Sequence, residues 1–134
     1  MYHVIIAGGK GSRFWPMSTN ENPKQFLSLI NEKSLIRLTY ERLLKIAEPK
    51  KILIVTSEKY RSQIKSNLPE IDERNIIFEP SPKNTAPAIY AAVHYINSIE
   101  DNPIIGIYPS DHFIKYEDKF CKAIKSVEDF ILEV

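Results

Sequence analysis

The sequence predicts an α/β fold, a Rossmann-like open sheet that is mainly parallel and carries helices on both faces. Short runs rich in Ile and Val alternate along the chain with longer segments whose apolar residues recur at helical spacing. The short runs are almost continuously apolar, which is typical of strands that helices cover on both faces. Consecutive parallel strands joined by helices cross over right-handedly, and this connection produces an open sheet of the predicted kind.

Four segments are predicted to be strands, and each is bounded by turn-forming residues. They are residues 2–7, 51–56, 75–78 and 103–108. In sheets of this class, ligands bind outside the carboxyl ends of the strands. The loops that follow Ala7, Phe78 and Tyr108 are therefore the places where a functional site is expected.

Helices are predicted in the intervening segments. Ser34 is a suitable N-cap for the first, and residues 58–67 form a shorter second helix that ends before Pro69. The third begins near Asn84 or Thr85, with Pro87 in its first turn. The apolar positions that predict the first, third and last helices are Ile36, Tyr40, Leu43, Leu44 and Ala47; Ile89, Val93 and Ile96; and Phe120, Ile124, Val127 and Ile131.

Length and composition predict one soluble globular domain over residues 1–134. No apolar run approaches the roughly 20 residues that span a bilayer. Met1 leads directly into the strand-like YHVIIA without the features of a secretory signal, so the cytoplasm is the expected compartment. The formal net charge of +1 indicates neither a nucleic acid nor an anionic membrane as partner.

The loop after the first predicted strand reads AGGKGSRFWP and has the character of an anion site. Its three glycines let the backbone approach a ligand and direct N–H groups toward phosphate. The spacing differs from the Walker motif, and Phe14 occupies the last glycine position of G-x-G-x-x-G. On the glycines alone, a phosphate site and a plain tight turn both remain open.

Two cations accompany this loop. The planar guanidinium of Arg13 suits phosphate oxygens, and the ammonium of Lys24 is a compact point charge. Solvated loop charge is the alternative interpretation of both residues.

The pattern G-G-x-G-x-R-x-x-P-x-S, followed by P-K-Q-F, resembles the signature of the sugar-1-phosphate nucleotidyltransferases. FWPMS at 14–18 and PKQFL at 23–27 are similar to the mannose-1-phosphate guanylyltransferase branch. The resemblance implies a nucleotidyltransferase fold, truncated here because family catalytic domains continue well beyond the length of this chain. It also implies that GTP and mannose 1-phosphate are converted into GDP-mannose and pyrophosphate.

The resemblance assigns roles within the glycine loop. Backbone groups of Ala7, Gly8 and Gly9 would lie against the nucleoside, and Gly11, Ser12 and Arg13 would hold the phosphates. Lys24 would steady the α-phosphate. Arg13, Lys24 and Asp111 are accordingly the expected catalytic residues, without a covalent nucleophile.

The segments after the third and fourth predicted strands complete the expected site. EPSPKNTAPAI is similar to the region from which the guanylyltransferase branch reads the base, which makes Asn84 and Thr85 candidates for contacts to guanine or its ribose. Helix capping is the alternative role of Asn84. The resemblance makes Asp111 of YPSDH the ligand of Mg²⁺, whereas an isolated Asp after a strand is otherwise a turn former.

Two other functions remain open at this stage. One is a related nucleotidyltransferase with another base or sugar specificity, and the other is a nucleotide-binding module without turnover. The chain ends soon after its fourth predicted strand, and an uncovered sheet edge and apolar helix face would favour either self-association, as in a homo-oligomer, or poor solubility.

Overall fold

The sheet of this protein is parallel and has four strands among the residues described by the computed structural model, which are 1–9, 16–28, 32–81 and 84–134. The strands are β1 (Tyr2–Ile6), β2 (Ile52–Ser57), β3 (Ile76–Glu79) and β4 (Ile105–Pro109), in the order β3-β2-β1-β4. Every neighbouring pair is parallel. The predicted α/β class and all four predicted strands are confirmed, with boundaries shifted by one or two residues.

Four α-helices connect or follow the strands in the part of the chain that the structure describes. They are α1 (Leu35–Leu44), α2 (Arg61–Asn67), α3 (Thr85–Asn97) and α4 (Glu117–Glu133). The Ser34 hydroxyl accepts a hydrogen bond from the backbone N–H of Arg37 at 3.3 Å, which confirms Ser34 as the N-cap of α1. The predicted second helix is divided into a 3-10 turn, Glu58–Tyr60, and α2.

Helices cover both faces of the sheet, as the apolar strands predict. Alternate residues of β2 point to opposite faces, so Ile52 and Ile54 pack with α1, α2 and α4, while Leu53 and Val55 pack with α3. The first core also includes Ile5, Ile36, Tyr40, Leu43, Ile64 and Tyr108, and the second includes Tyr2, Val4, Ala88, Ala92 and Ile96.

Helix α3 buries a different stripe from the one that the sequence predicts. Ala88, Ala92 and Ile96 are buried against the sheet, whereas Ile89 and Val93 are only half-buried at the flanks. Two alanines let the helix backbone approach the strands closely, so the small residues mark the contact line better than the large ones do.

The last helix leaves apolar side chains in solvent. Val127, Phe130 and Leu132 of α4 are all exposed. This exposure agrees with the expected uncovered helix face, and a homo-oligomer stays a prediction. Among the described residues, no helix has the length and apolar character that a bilayer crossing would require.

Candidate functional site

The carboxyl ends of all four strands lie at one edge of the sheet, because the strands are parallel. Chain order and spatial order diverge beside β1, which pairs with β2 on one side and with β4 on the other. Ligands of open α/β sheets bind at such a switch point. The segments after β1, β3 and β4 therefore leave the sheet at the same edge, where the sequence places the candidate residues.

The start of the glycine loop is fixed by the neighbouring strand. The backbone N–H of Ala7 donates to the carbonyl of Val55 at 2.7 Å, and the carbonyl of Ala7 accepts from the Thr56 hydroxyl at 3.2 Å. Among the described residues, none lies within 4 Å of a Cβ atom added at Gly9. Gly11, Ser12 and Arg13 lie outside the described residues.

Gln25 of the PKQF segment also fixes this loop, a role that the sequence analysis missed. Its buried side-chain amide donates to the carbonyls of Ala7 at 2.9 Å and Gly9 at 3.3 Å. Phe26, the next residue, is buried in the core on the α1 side. The only sequence signal was the position of Gln25 within the motif, since pairing with the loop depends on the fold.

Lys24, held in the same 3-10 turn as Gln25 and Phe26, faces the loop after β4. Its Nζ atom lies 3.4 Å from Oδ2 of Asp111, and both side chains are partly exposed. The structure thus brings together two of the three predicted catalytic residues. At the switch point, the cation can bind a phosphate oxygen. The neighbouring carboxylate can bind a metal ion that the phosphates also coordinate.

A metal ion at Asp111 would depend on the substrate for most of its ligands. No group of three or more His, Cys, Asp or Glu side chains suited to a metal exists within the described ranges. Mg²⁺ is commonly bound by one or two carboxylates together with water and phosphate oxygens. The partly exposed carboxylate of Asp111 fits that mode and does not fit a metal site built from protein ligands alone.

A cleft of about 420 Å³ opens on the other side of the glycine loop, at the ends of β2 and β3. Its volume falls within the range of small-molecule sites, roughly 300–1,000 Å³. The residues that line it are Gly8, Asn20, Ser57, Lys59, Tyr60, Pro80 and Ser81.

Glu79 is a carboxylate beside this cleft that the sequence analysis did not single out. It ends β3, pairs in register with Ser57, and its Oε2 atom would be 2.9 Å from a Cβ atom added at Gly8. Burial raises the pKa of Glu79 above its usual range. Within the described part of the chain, the carboxylate has neither a hydrogen bond nor an ion pair. It is therefore a half-buried acceptor that a ligand could satisfy.

Asn84 and Thr85 stand at the start of α3, as predicted. The Asn84 side chain makes no capping hydrogen bond to the helix, so the capping interpretation has no hydrogen bond to support it. Its backbone has φ 80° and ψ −179°, a conformation that favours glycine and costs on the order of 1–3 kcal/mol in other residues. Both side chains are exposed and accessible to a ligand.

Comparison with known proteins agrees with this geometry. A family model described as nucleotidyl transferase matches residues 2–131. The chain belongs to the nucleotidyl transferase family.

Two relatives of this nucleotidyl transferase are named mannose-1-phosphate guanylyltransferase. The protein of Salmonella muenchen is 41% identical over 133 residues, which cover 95% of this chain and 28% of the relative. Mannose-1-phosphate guanylyltransferase 2 of Escherichia coli O157:H7 is 40% identical over 127 residues, covering 92% of this chain and 26% of that protein. The chain thus spans about a quarter of their length and corresponds to their N-terminal part.

Solved structures confirm the fold. A Thermus thermophilus protein described as mannose-1-phosphate geranyltransferase superposes with a TM-score of 0.80 at 26% identity, covering 93% of this chain and 36% of that one. A Helicobacter pylori protein described as mannose-6-phosphate isomerase gives 0.73 at 27% identity, covering 96% and 45%. The nucleotidyltransferase fold predicted from the sequence is confirmed, over a chain that is shorter than these relatives.

Proposed function

We propose that this chain binds GTP with Mg²⁺ and is the nucleotide-binding part of a cytoplasmic enzyme that forms GDP-mannose and pyrophosphate from GTP and mannose 1-phosphate. The proposal depends above all on the contact of Lys24 with Asp111 beside the glycine loop. The names of the relatives from Salmonella muenchen and Escherichia coli support the choice of substrates.

The two halves of the edge suit the two halves of a nucleotide. The cleft at β2 and β3 takes the base, and Lys24 and Asp111 on the β4 side take the triphosphate and its metal. Between β3 and β4 lie three strand spacings of about 4.8 Å each, a distance that an extended nucleotide can span. The nucleotide would cross the end of β1, where no described residue lies within 4 Å of a Cβ atom added at Gly9.

The proposed site would act by positioning the two substrates and by neutralising the negative charge of their phosphates. An oxygen of mannose 1-phosphate attacks the α-phosphorus of GTP in line, a new P–O bond forms, and the bond to the β-phosphate breaks to release pyrophosphate. Such a reaction requires cations near the α-phosphate and the leaving group rather than a covalent nucleophile. Lys24, Arg13 and Mg²⁺ at Asp111 are the proposed cations, and we propose from the resemblance that the backbone of Gly11 and Ser12 would hold phosphate oxygens.

Glu79 supports guanine as the base. A carboxylate accepts hydrogen bonds from both N1–H and the 2-amino group of guanine, whereas adenine presents an acceptor and a C–H group at the same positions. Pairing with two donors would satisfy the half-buried carboxylate, and facing an acceptor would leave it unpaired at a cost of roughly 1–3 kcal/mol. Asn84 and Thr85 are the further proposed contacts to the base or its ribose.

Calorimetric titration of the 134-residue chain with GTP, ATP and UTP in the presence of Mg²⁺ tests this function. GTP should bind at least about tenfold more tightly than either other nucleotide, since only guanine satisfies Glu79. Equal affinity for GTP and ATP would remove the guanine assignment and leave the phosphate site standing. If none of the three nucleotides binds, the proposal as a whole is wrong.

A further inference from the structure

A buried cation, Arg42, lies beneath the loop that carries Asp111. It projects from α1, and its side chain is only 4% exposed. Burial lowers the pKa of Arg42, since the charged form loses its hydration. A guanidinium in such a position is costly unless its contacts compensate for the lost water.

Within the described residues, the polar and ring contacts of the Arg42 guanidinium are with the segment that follows Asp111. Its Nη2 atom donates a long hydrogen bond of 3.5 Å to the backbone carbonyl of His112, the residue next to Asp111. Its Nε atom lies 3.5 Å from Oε1 of Glu117, the first residue of α4. The guanidinium carbon is 5.5 Å from the ring centroid of Phe120, also in α4. Arg42 therefore joins α1 to the far end of this loop from the inside.

We propose that Arg42 is a positioning residue for the cation site at Asp111, acting through the backbone of His112. The inference depends on the proposed function, since it concerns the metal that Asp111 would share with the nucleotide. Lys24 contacts the Asp111 carboxylate, and the buried Arg42 holds the carbonyl of His112. Together they hold the side chain of Asp111 and the backbone of the residue that follows it.

The effect of such positioning can be measured as a change in the affinity for Mg²⁺. The ion demands near-ideal octahedral geometry, so a small displacement of its carboxylate ligand weakens binding. Loss of a residue that orients a metal ligand typically lowers metal affinity by about 10- to 100-fold. Arg42 does not touch the nucleotide in this scheme, so nucleotide binding without metal should not depend on it.

The ion pair with Glu117 provides a control for a purely structural role. If Arg42 only ties α1 to α4, a Glu117→Gln variant should resemble an Arg42 variant, because both lose the charge pair. Glu117→Gln retains the hydrogen bond of Arg42 to His112 and should leave metal affinity unchanged. Lys45→Met is a second control, since Lys45 also reaches Glu117, at 2.8 Å, from the exposed side of α1.

The experiment measures Mn²⁺ affinity of the GTP-bound chain by electron paramagnetic resonance and GTP affinity in EDTA by calorimetry. Arg42→Met should bind Mn²⁺ at least about tenfold more weakly with unchanged GTP affinity in EDTA. Glu117→Gln and Lys45→Met should match the original chain. Arg42→Lys retains charge and bulk, and its shorter side chain should lose the His112 contact, so it should show the same loss if Arg42→Met fails to fold.

The outcomes separate this inference from the proposed function. Unaltered Mn²⁺ affinity in a folded Arg42→Lys or Arg42→Met variant would overturn the positioning role. An equal loss in Glu117→Gln would also overturn it and leave Arg42 as a helix tie. If GTP binding by the original chain shows no dependence on divalent metal, the metal assignment of the proposed function fails and the inference fails with it.

Discussion

Nζ of Lys24 lies 3.4 Å from Oδ2 of Asp111, although Lys24 follows β1 and Asp111 follows β4. Because β1 and β4 are parallel neighbours, the segments that leave their carboxyl ends emerge side by side. With a nucleotide present, the phosphates and their metal would compete with this ion pair. When a nucleotide binds, Lys24 would therefore exchange Asp111 for a phosphate oxygen, and Asp111 would exchange Lys24 for the metal ion.

The role of Lys24 predicts a split between turnover and binding. In a full-length enzyme that contains this chain, Lys24→Ala should lower kcat by roughly 10²–10³-fold, which corresponds to about 3 to 4 kcal/mol of transition-state stabilisation. GTP affinity should change far less, because the charge is needed most as the α-phosphate becomes crowded. Steady-state kinetics and calorimetry measure the two quantities, with Lys33→Ala, at an exposed position just before α1, as control. A change confined to KM would show that Lys24 acts in ground-state binding.

The assignment of Asp111 predicts loss of metal dependence without loss of fold. Asp111→Asn keeps the shape of the side chain and removes its charge, so Mg²⁺ should no longer strengthen GTP binding. The melting temperature should stay close to that of the original chain, since Asp111 is partly exposed. Asp118→Asn, at an exposed position of α4, is the matched control. Unfolding of Asp111→Asn would instead identify a structural turn residue.

The position of Glu79 beside Gly8 predicts a change of base preference. Glu79→Gln replaces one carboxylate oxygen with an amide donor, which suits the 2-carbonyl of xanthine and opposes the 2-amino group of guanine. Affinity for GTP should fall by about tenfold or more, and affinity for XTP should rise. Glu133→Gln, at the exposed end of α4, controls for the loss of a negative charge. Unchanged preference for GTP over XTP would show that Glu79 does not contact the base.

His3 predicts a pH dependence of stability that is independent of the nucleotide site. Burial, together with the nearby N-terminal ammonium, lowers its pKa to about 4, and its Nδ1 atom is 2.9 Å from the Tyr108 hydroxyl. Between about pH 6.5 and pH 4, His3 takes up a proton in the unfolded chain but not in the folded one. The free energy of unfolding therefore decreases as the pH is lowered, by up to about 1.4 kcal/mol per pH unit. His3→Gln should remove this component, and exposed His94→Gln should not. Equal slopes in urea titrations of His3→Gln and the original chain would contradict it.

The sequence predicted the order and type of the elements, because strand and helix periodicities are local. Ser34 as a cap and Pro87 in the first turn of α3 were confirmed for the same reason. The sequence motifs identified Lys24 and Asp111, but they did not predict that these two residues are in contact. Gln25, Glu79 and Arg42 were missed, since their partners belong to other strands or helices, and local patterns carry no information about contacts across the sheet.

Relaxation enhancement by bound Mn²⁺·GTP tests the central claim most directly, namely that the nucleotide spans the sheet edge with its metal at Asp111. Bound Mn²⁺ broadens amide NMR signals of the 134-residue chain according to their distance from the metal. The signals of Lys24, Asp111 and His112 should disappear first, and those of Ser57 and Glu79 at the base end should persist to higher occupancy. Strongest broadening at Ser57 and Glu79, or at residues away from this edge, would contradict the proposed placement.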